Sequence, residues 1–228
     1  MKNICIGLFE GEVLPESLAA FKDVKLDLEF GKITTIYTLN QMDCEKVVVV
    51  GLGDGKKNIK EAYSKVDADD YLAYVNEKTA YAAGFGLVYG AYSYKETKVY
   101  ELECDSFKAE FEKGMTVARI VNHAREISDM PANYLTPDHL VDESKMIAEK
   151  YNMEIEVLAQ EDLEEIGSGA LLAVNQGSDR PCYMVVLRYD GGKEDEEYTA
   201  LVGKGLTYDA GGYNIKSNMH GMKYDMCG

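Results

Sequence analysis

The stretch from Lys46 to Leu52 (KVVVVGL) constrains the fold of this chain more than any other feature. An unbroken β-branched run is typical of a strand covered on both faces, as in parallel sheets flanked by helices. Further strands are predicted at Asn3–Phe9, Lys32–Leu39 and Lys98–Cys104. A long helix is predicted from Ile59 to Tyr92. This alternation of strands and helices indicates an α/β domain with a mainly parallel sheet.

The pattern changes after Asp105. Apolar residues at helical spacing predict a linker helix over 106–127. Thr136 and Pro137 are a typical N-cap and first helical residue, so a second helix is expected to begin there. Later strands are predicted at Met153–Val157, Ala170–Val174, Cys182–Leu187 and Tyr198–Val202. We therefore predict an α/β domain at 1–105, the linker helix, and a second α/β domain at 128–228.

Charge and cysteine content narrow the classes of partner and compartment. The chain carries 24 Lys and Arg against 40 Asp and Glu, a net charge of −16, which repels nucleic acid and anionic membranes. The longest uncharged stretch, Thr79–Tyr94, is too short and too polar to cross a bilayer. The five cysteines form no Cys-x-x-Cys pair and no signal-peptide core is present, so we expect a cytoplasmic protein with reduced thiols.

Two glycine-rich stretches invite comparison with nucleotide-binding loops. In Gly51–Lys56 the third glycine is misplaced for a dinucleotide loop, and a tight turn after a buried strand is the favoured interpretation. In Gly203–Thr207, Lys204 is followed by glycine instead of the Ser or Thr of a phosphate-binding loop. Neither stretch is predicted to bind phosphate.

The residues best suited to chemistry lie near the end of the sequence. Lys204 closes a predicted apolar strand, and Asp209 follows it, where open α/β sheets place their sites. The pair Gly211-Gly212 allows a sharp turn before Lys216, and Asp225 comes shortly after. Lysines and aspartates in an otherwise apolar stretch are costly to bury without partners. They indicate either internal Lys–Asp ion pairs or a functional site.

These residues carry a resemblance to a known family. Val202–Lys216 (VGKGLTYDAGGYNIK) and Met222–Met226 (MKYDM) resemble the metal-binding strand and loop of the M17 leucyl aminopeptidases, two-metal exopeptidases of the cytosol. The family form is Val-Gly-Lys-Gly-x-Thr-Phe-Asp-Ser-Gly-Gly-x-x-x-Lys and then Met-Lys-x-Asp-Met, with conservative changes here at Tyr208 and Ala210. The resemblance is strong from Ser128 onward.

Two upstream segments extend the resemblance. Pro131–Pro137 is similar to the segment that opens the family's catalytic domain, and Gly169–Ser178 to the strand and loop before its metal site. The implied architecture is a macro-like amino-terminal α/β domain, a linker helix, and the incomplete start of an α/β aminopeptidase catalytic domain at 128–228.

The resemblance implies a role for each matching residue. Lys204, Asp209 and Asp225 become metal ligands, with Asp209 bridging two Zn²⁺ or Mn²⁺ ions that activate a water molecule. Lys216 becomes the catalytic lysine that polarises the scissile carbonyl, and Met222 lines the substrate pocket. An ammonium has no lone pair, so a lysine ligand must lose its proton before it can coordinate a metal.

Departures from the family pattern shape the functional expectation. The loop between Lys216 and Asp225 is shorter than in the family, and no family position supports its His220 as a ligand. His123 and His139 fall in predicted helices and are expected to be structural. The later segment Asn-Thr-Asp-Ala-Glu-Gly-Arg, which completes the family's metal sites, is not found in these 228 residues.

The expectation is therefore the amino-terminal part of a peptide-cleaving, hexameric metalloaminopeptidase, inactive by itself. The alternative is a non-catalytic binding or assembly module with a vestigial metal motif.

Overall fold

The computed structural model describes residues 2–94, 100–192 and 197–217, and it confirms the α/β class. The chain divides into two compact units, Met1–Glu126 and Ile127–Gly228. No helix in these described ranges is long and apolar enough to span a membrane.

The first unit contains a five-stranded sheet. Its strands are β1 (Asn3–Leu8), β2 (Ile33–Tyr37), β3 (Lys46–Gly51), β4 (Tyr71–Tyr74) and β5 (Leu102–Cys104). Their order is β2-β3-β1-β4-β5, and all neighbours run parallel except β2, which pairs antiparallel with β3 at one edge. The prediction of a mainly parallel sheet is confirmed.

Both faces of this sheet are covered, as the valine run in β3 predicts. Val48 and Val50 pack toward helices α1 (Ile59–Tyr63), α2 (Ala80–Gly90) and α3 (Lys108–Asp129). Val47 and Val49 pack on the other face, where a 3₁₀ helix at Glu16–Phe21 supplies Leu18 and Phe21. Burying branched side chains on both faces is what makes β3 a central strand.

The predicted long helix from Ile59 to Tyr92 is wrong. The structure has α1, then β4, then α2 in this stretch. An aspartate-rich segment, Asp67–Asp70, separates α1 from β4, and aspartate favours turns over helix interiors. In β4 the residues Tyr71 and Ala73 are buried between less buried neighbours, a period of two that fits a strand. Pairing of Asn3–Ile6 with Tyr71–Tyr74 then fixes β4 beside β1.

The second unit begins with a well-capped helix. Its elements are α4 (Pro137–Tyr151), β6 (Glu154–Leu158), α5 (Gln160–Glu165), α6 (Gly169–Asn175) and β7 (Met184–Arg188). The Thr136 hydroxyl accepts a hydrogen bond from the His139 N–H at 3.3 Å, as predicted for the N-cap. Asn152 adopts the left-handed conformation (φ 52°), which ends α4 before β6. β6 and β7 pair antiparallel in a two-stranded sheet.

Two predicted strands of this unit are wrong. Ala170–Val174 lies within α6, because a short run of small and apolar residues has no period that separates strand from helix. Tyr198–Val202 forms no regular element, and Leu201 and Val202 are almost fully exposed. A strand needs a neighbour for its N–H and C=O groups, and the described part of this unit pairs only β6 with β7. The predicted strand Lys98–Cys104 lies partly outside the described residues, and β5 covers its end.

Candidate metal centre

The last described segment folds into a loop that brings three of the predicted site residues together. Gly211 and Gly212 both adopt left-handed conformations (φ 93° and 69°), which residues with a side chain rarely accept. A Cβ on Gly211 would lie 2.6 Å from the Asn214 carbonyl oxygen. The Lys216 N–H donates to the Ala210 carbonyl at 3.0 Å and closes the loop. The chain therefore returns to Asp209 over seven residues.

The Asp209 carboxylate is the centre of this arrangement. Its Oδ2 atom lies 3.2 Å from Lys204 Nζ and 3.5 Å from Lys216 Nζ, and its Oδ1 atom accepts the Gly211 N–H at 2.9 Å. The hydrogen bond from Lys204 lowers the pKa of Asp209 below the usual 3.8, and the Gly211 N–H lowers it further. Asp209 is therefore an ionised carboxylate at neutral pH.

The positions of the two lysines and of Asp209 determine which of them could hold a metal ion. Both lysine nitrogens lie within 3.5 Å of one carboxylate oxygen, so a metal ion held by Asp209 would have to displace at least one of these contacts. Lys204 fits the role of an amine ligand only after it loses its proton, whereas a charged Lys216 fits that of a hydrogen-bond donor. In the described ranges no three His, Cys, Asp or Glu side chains group closely enough to hold a metal ion. The described donors are thus one carboxylate and two lysines.

Of the other predicted ligands, pocket residues and histidines, the structure describes only some. Met222, Asp225 and His220 lie outside the described residues. His123 and His139 lie in α3 and α4, and His139 Nε2 is 3.7 Å from Glu143 one turn on. The expectation that Lys204 closes a strand fails with that strand, and Lys204 lies in an irregular segment where it contacts Asp209.

One hydrogen-bond donor to Asp209 was not predicted from the sequence, the backbone N–H of Gly211. Its hydrogen bond to Asp209 is an Asx turn, in which an aspartate side chain bonds the N–H two residues on. The order Asp209-Ala210-Gly211 carries the signal, because glycine directly after such a turn accepts the left-handed backbone.

Comparison with known proteins gives a family match in the second half of the chain. Residues 122–228 match the family Peptidase M17, described as the cytosol aminopeptidase family, catalytic domain. The match covers 107 of the 228 residues, just under half of the chain. The match includes Lys204, Asp209 and Lys216 and begins within α3.

Solved structures show the same fold. The chain is similar to the bottromycin maturation enzyme BotP in complex with Mn, with a TM-score of 0.79, 24% identity, and coverage of 100% of this chain and 53% of that one. A second BotP structure gives a TM-score of 0.75 at 23% identity, again covering 100% and 53% of the two chains. At this identity the likeness establishes the fold. The chain spans about half the length of these structures.

Proposed function

We propose that residues 127–228 carry part of the metal site of a two-metal aminopeptidase, which releases amino-terminal residues from peptides. One observation carries the proposal: Lys204 and Lys216 meet one oxygen of Asp209, inside the segment that matches the M17 catalytic domain. A structural ion pair needs one lysine for one carboxylate. With two lysines at one carboxylate, metal binding would require Lys204 to lose its proton and a further carboxylate such as Asp225 to join Asp209.

Each described residue has a distinct task in this proposal. The ionised Asp209 and a deprotonated Lys204 would be the described residues that hold the metal ions. Lys216 keeps its proton and donates a hydrogen bond to the oxygen of the scissile carbonyl, where negative charge develops. Bound Zn²⁺ or Mn²⁺ would supply Lewis acidity and a more acidic water molecule. Asp225 completes the proposed ligand set contributed by this chain.

The proposal also covers the substrate pocket, the assembly and the partners. Met222 would line the pocket for the first side chain of the substrate, which favours apolar residues such as leucine. A cytoplasmic homo-oligomer, a hexamer as the family resemblance implies, would act on peptides. Its strongly acidic composition disfavours nucleic acid and anionic membranes as partners.

Metal titration tests the ligand assignment directly. We expect Mn²⁺ to bind the 228-residue chain by calorimetry, and Asp209→Asn to weaken binding at least about tenfold because it removes the bridging carboxylate. Asp190→Asn is the matched control, since Asp190 is an exposed aspartate of the same unit and the charge change is identical. Equal affinity in both variants and the original chain would remove the basis for the assignment.

Hydrolysis of leucine p-nitroanilide tests the activity. These 228 residues lack the later Asp-x-Glu-x-Arg segment, so we expect the isolated chain to show no hydrolysis above background with Mn²⁺ or Zn²⁺. A longer polypeptide that joins them to that segment should be active. In it Lys216→Met should lower kcat by roughly 10²–10³ without weakening metal binding. Full activity in that variant would contradict the role given to Lys216.

A further inference from the structure

Strand β2 leaves one side of the five-stranded sheet open. The Thr38 N–H donates to the Glu45 carbonyl at 2.9 Å, and the Gly51 N–H to the Lys32 carbonyl at 2.8 Å. Even-numbered residues of this stretch therefore bond to β3, because bonded and non-bonded residues alternate in antiparallel pairs. Ile33, Thr35 and Tyr37 direct their N–H and C=O groups to the open side, where the described ranges contain no further strand.

The side chains of the same three residues are exposed. Ile33, Thr35 and Tyr37 are exposed on one face of the sheet, whereas Ile36 packs into the core on the opposite face. Tyr37 is 62% exposed. From Ile33 to Gln41 the sequence has no charged residue and no proline. Natural edge strands usually carry such residues because they prevent pairing with another chain. β2 therefore has the composition of an edge strand that can pair with a strand of another chain.

We propose that β2 pairs antiparallel with β2 of a second copy of this chain, about a two-fold axis at Thr35. In this register Thr35 faces Thr35, and Ile33 of one protomer faces Tyr37 of its partner. All three residues then exchange hydrogen bonds across the axis. Thr–Thr and aromatic–β-branched pairs are favourable opposite one another in a sheet. The two five-stranded sheets become one continuous sheet.

Charge complementarity identifies the second copy as the occupant. The Ile33 end of β2 is basic, because Lys32 is exposed there and Lys57 and Lys65 lie over the Phe30 ring, at 4.9 and 5.6 Å, against two acidic residues, Asp27 and Glu29. The Tyr37 end is acidic, with Asp43 and Glu45 exposed beside it, while Lys46 opposite Tyr37 is paired with Asp69. Antiparallel pairing places the basic end of each protomer against the acidic end of the other, which favours association and fixes its direction.

The alternative arrangements fit less well. Parallel pairing would set basic ends together and acidic ends together, a repulsion that would add to that of two chains of net charge −16. A two-fold contact also uses both open β2 edges at once, so this contact joins two protomers, alone or within a hexamer, and cannot extend into a fibre.

Sedimentation velocity at physiological salt tests the proposal. We expect the 228-residue chain to dimerise and Thr35→Pro to be monomeric at the same concentration, because proline removes an N–H that points outward. The ladder to β3 keeps its hydrogen bonds, so circular dichroism and thermal unfolding should stay unchanged. Thr35→Val, which keeps the N–H, is the matched control and should remain dimeric.

A charge swap tests the direction of pairing without touching the strand's hydrogen bonds. Lys32→Glu should raise the dimer dissociation constant at least about tenfold, and adding Glu45→Lys should restore it. A monomeric original chain, or a Thr35→Pro variant that folds and dimerises as the original does, would overturn the proposal. If Thr35→Pro fails to fold, the charge swap decides, and an unchanged dissociation constant in Lys32→Glu would then overturn it.

Discussion

Asp209 already holds two cations, so a metal ion has to compete with them for the carboxylate. The Lys204 ammonium must lose its proton before its nitrogen can coordinate, and metal binding should release that proton to solvent. The lowered pKa of Asp209 means that this carboxylate is ionised well below neutral pH. Asp209 therefore adds nothing to the pH dependence of metal binding in the neutral range.

The resulting prediction concerns the pH dependence of Mn²⁺ affinity. Between about pH 6 and pH 8 we expect the affinity to rise by up to about tenfold per pH unit, the slope for one released proton. Calorimetry in buffers of different ionisation enthalpy counts the protons. Lys204→Gln should flatten the slope, whereas Lys216→Gln should leave it intact. An affinity that does not change with pH in the original chain would exclude Lys204 as a ligand.

These residues show how much of the candidate site can be predicted from the sequence alone. Asp209, the two glycines after it and Lys216 lie within eight positions, so short-range turn geometry is enough to predict their proximity. The conformation of the segment that precedes Lys204 could not be predicted in the same way. Tyr198–Val202 has the composition of a strand, but strand formation depends on a pairing partner elsewhere in the chain, which composition does not specify.

At the scale of elements, α2 and α3 approach each other through glycine. A Cβ on Gly84 would overlap the carbonyl oxygen of Phe111, and one on Gly114 would overlap that of Tyr81. Both contacts involve backbone, which cannot move aside as a flexible side chain can. Phe111 and Met115 of α3 reach the core of the first unit only because the two helices lie this close.

We therefore predict that Gly84→Ala and Gly114→Ala each destabilise the chain by about 1–3 kcal/mol, the usual cost of overpacking. Gly169→Ala is the control, because a Cβ on Gly169 at the start of α6 meets no atom within 4 Å. That change should be neutral or stabilise by up to about 1 kcal/mol. Urea denaturation followed by circular dichroism measures all three. An equal effect at Gly84 and Gly169 would refute the close-packing account.

The elements also show why some predictions failed. β3 and α4 carry strong local signals, a valine run and a Thr-Pro cap, and both are confirmed. β4 is only four residues long and its alternation is hidden between two helices. Its strand state depends on pairing with β1, which lies more than sixty positions earlier. Long-range pairing of this kind overrides local propensity and leaves little trace in a short window.

At the scale of the whole molecule, the two units have cores of different size. Both large clusters of buried apolar residues belong to the first unit. In the described part of the second unit the buried apolar residues are few: Leu135, Val141, Ala148, Leu163 and Cys182. Because buried apolar area dominates stability, the second unit should be the less stable of the two. Separate cores also mean that the units can unfold separately.

Calorimetric unfolding should therefore show two transitions, with the second unit unfolding at the lower temperature. Mn²⁺ binds the folded loop around Asp209 in the present proposal, so it should raise only that lower transition. At a free concentration about 100 times the dissociation constant, the stabilisation is about 2.7 kcal/mol. At the same Mn²⁺ concentration Asp209→Asn should lower this stabilisation to about 1.4 kcal/mol or less, and Asp190→Asn should keep it. If Mn²⁺ raised the higher transition instead, the site would lie in the first unit, and the metal-binding role of Asp209 would have to be abandoned.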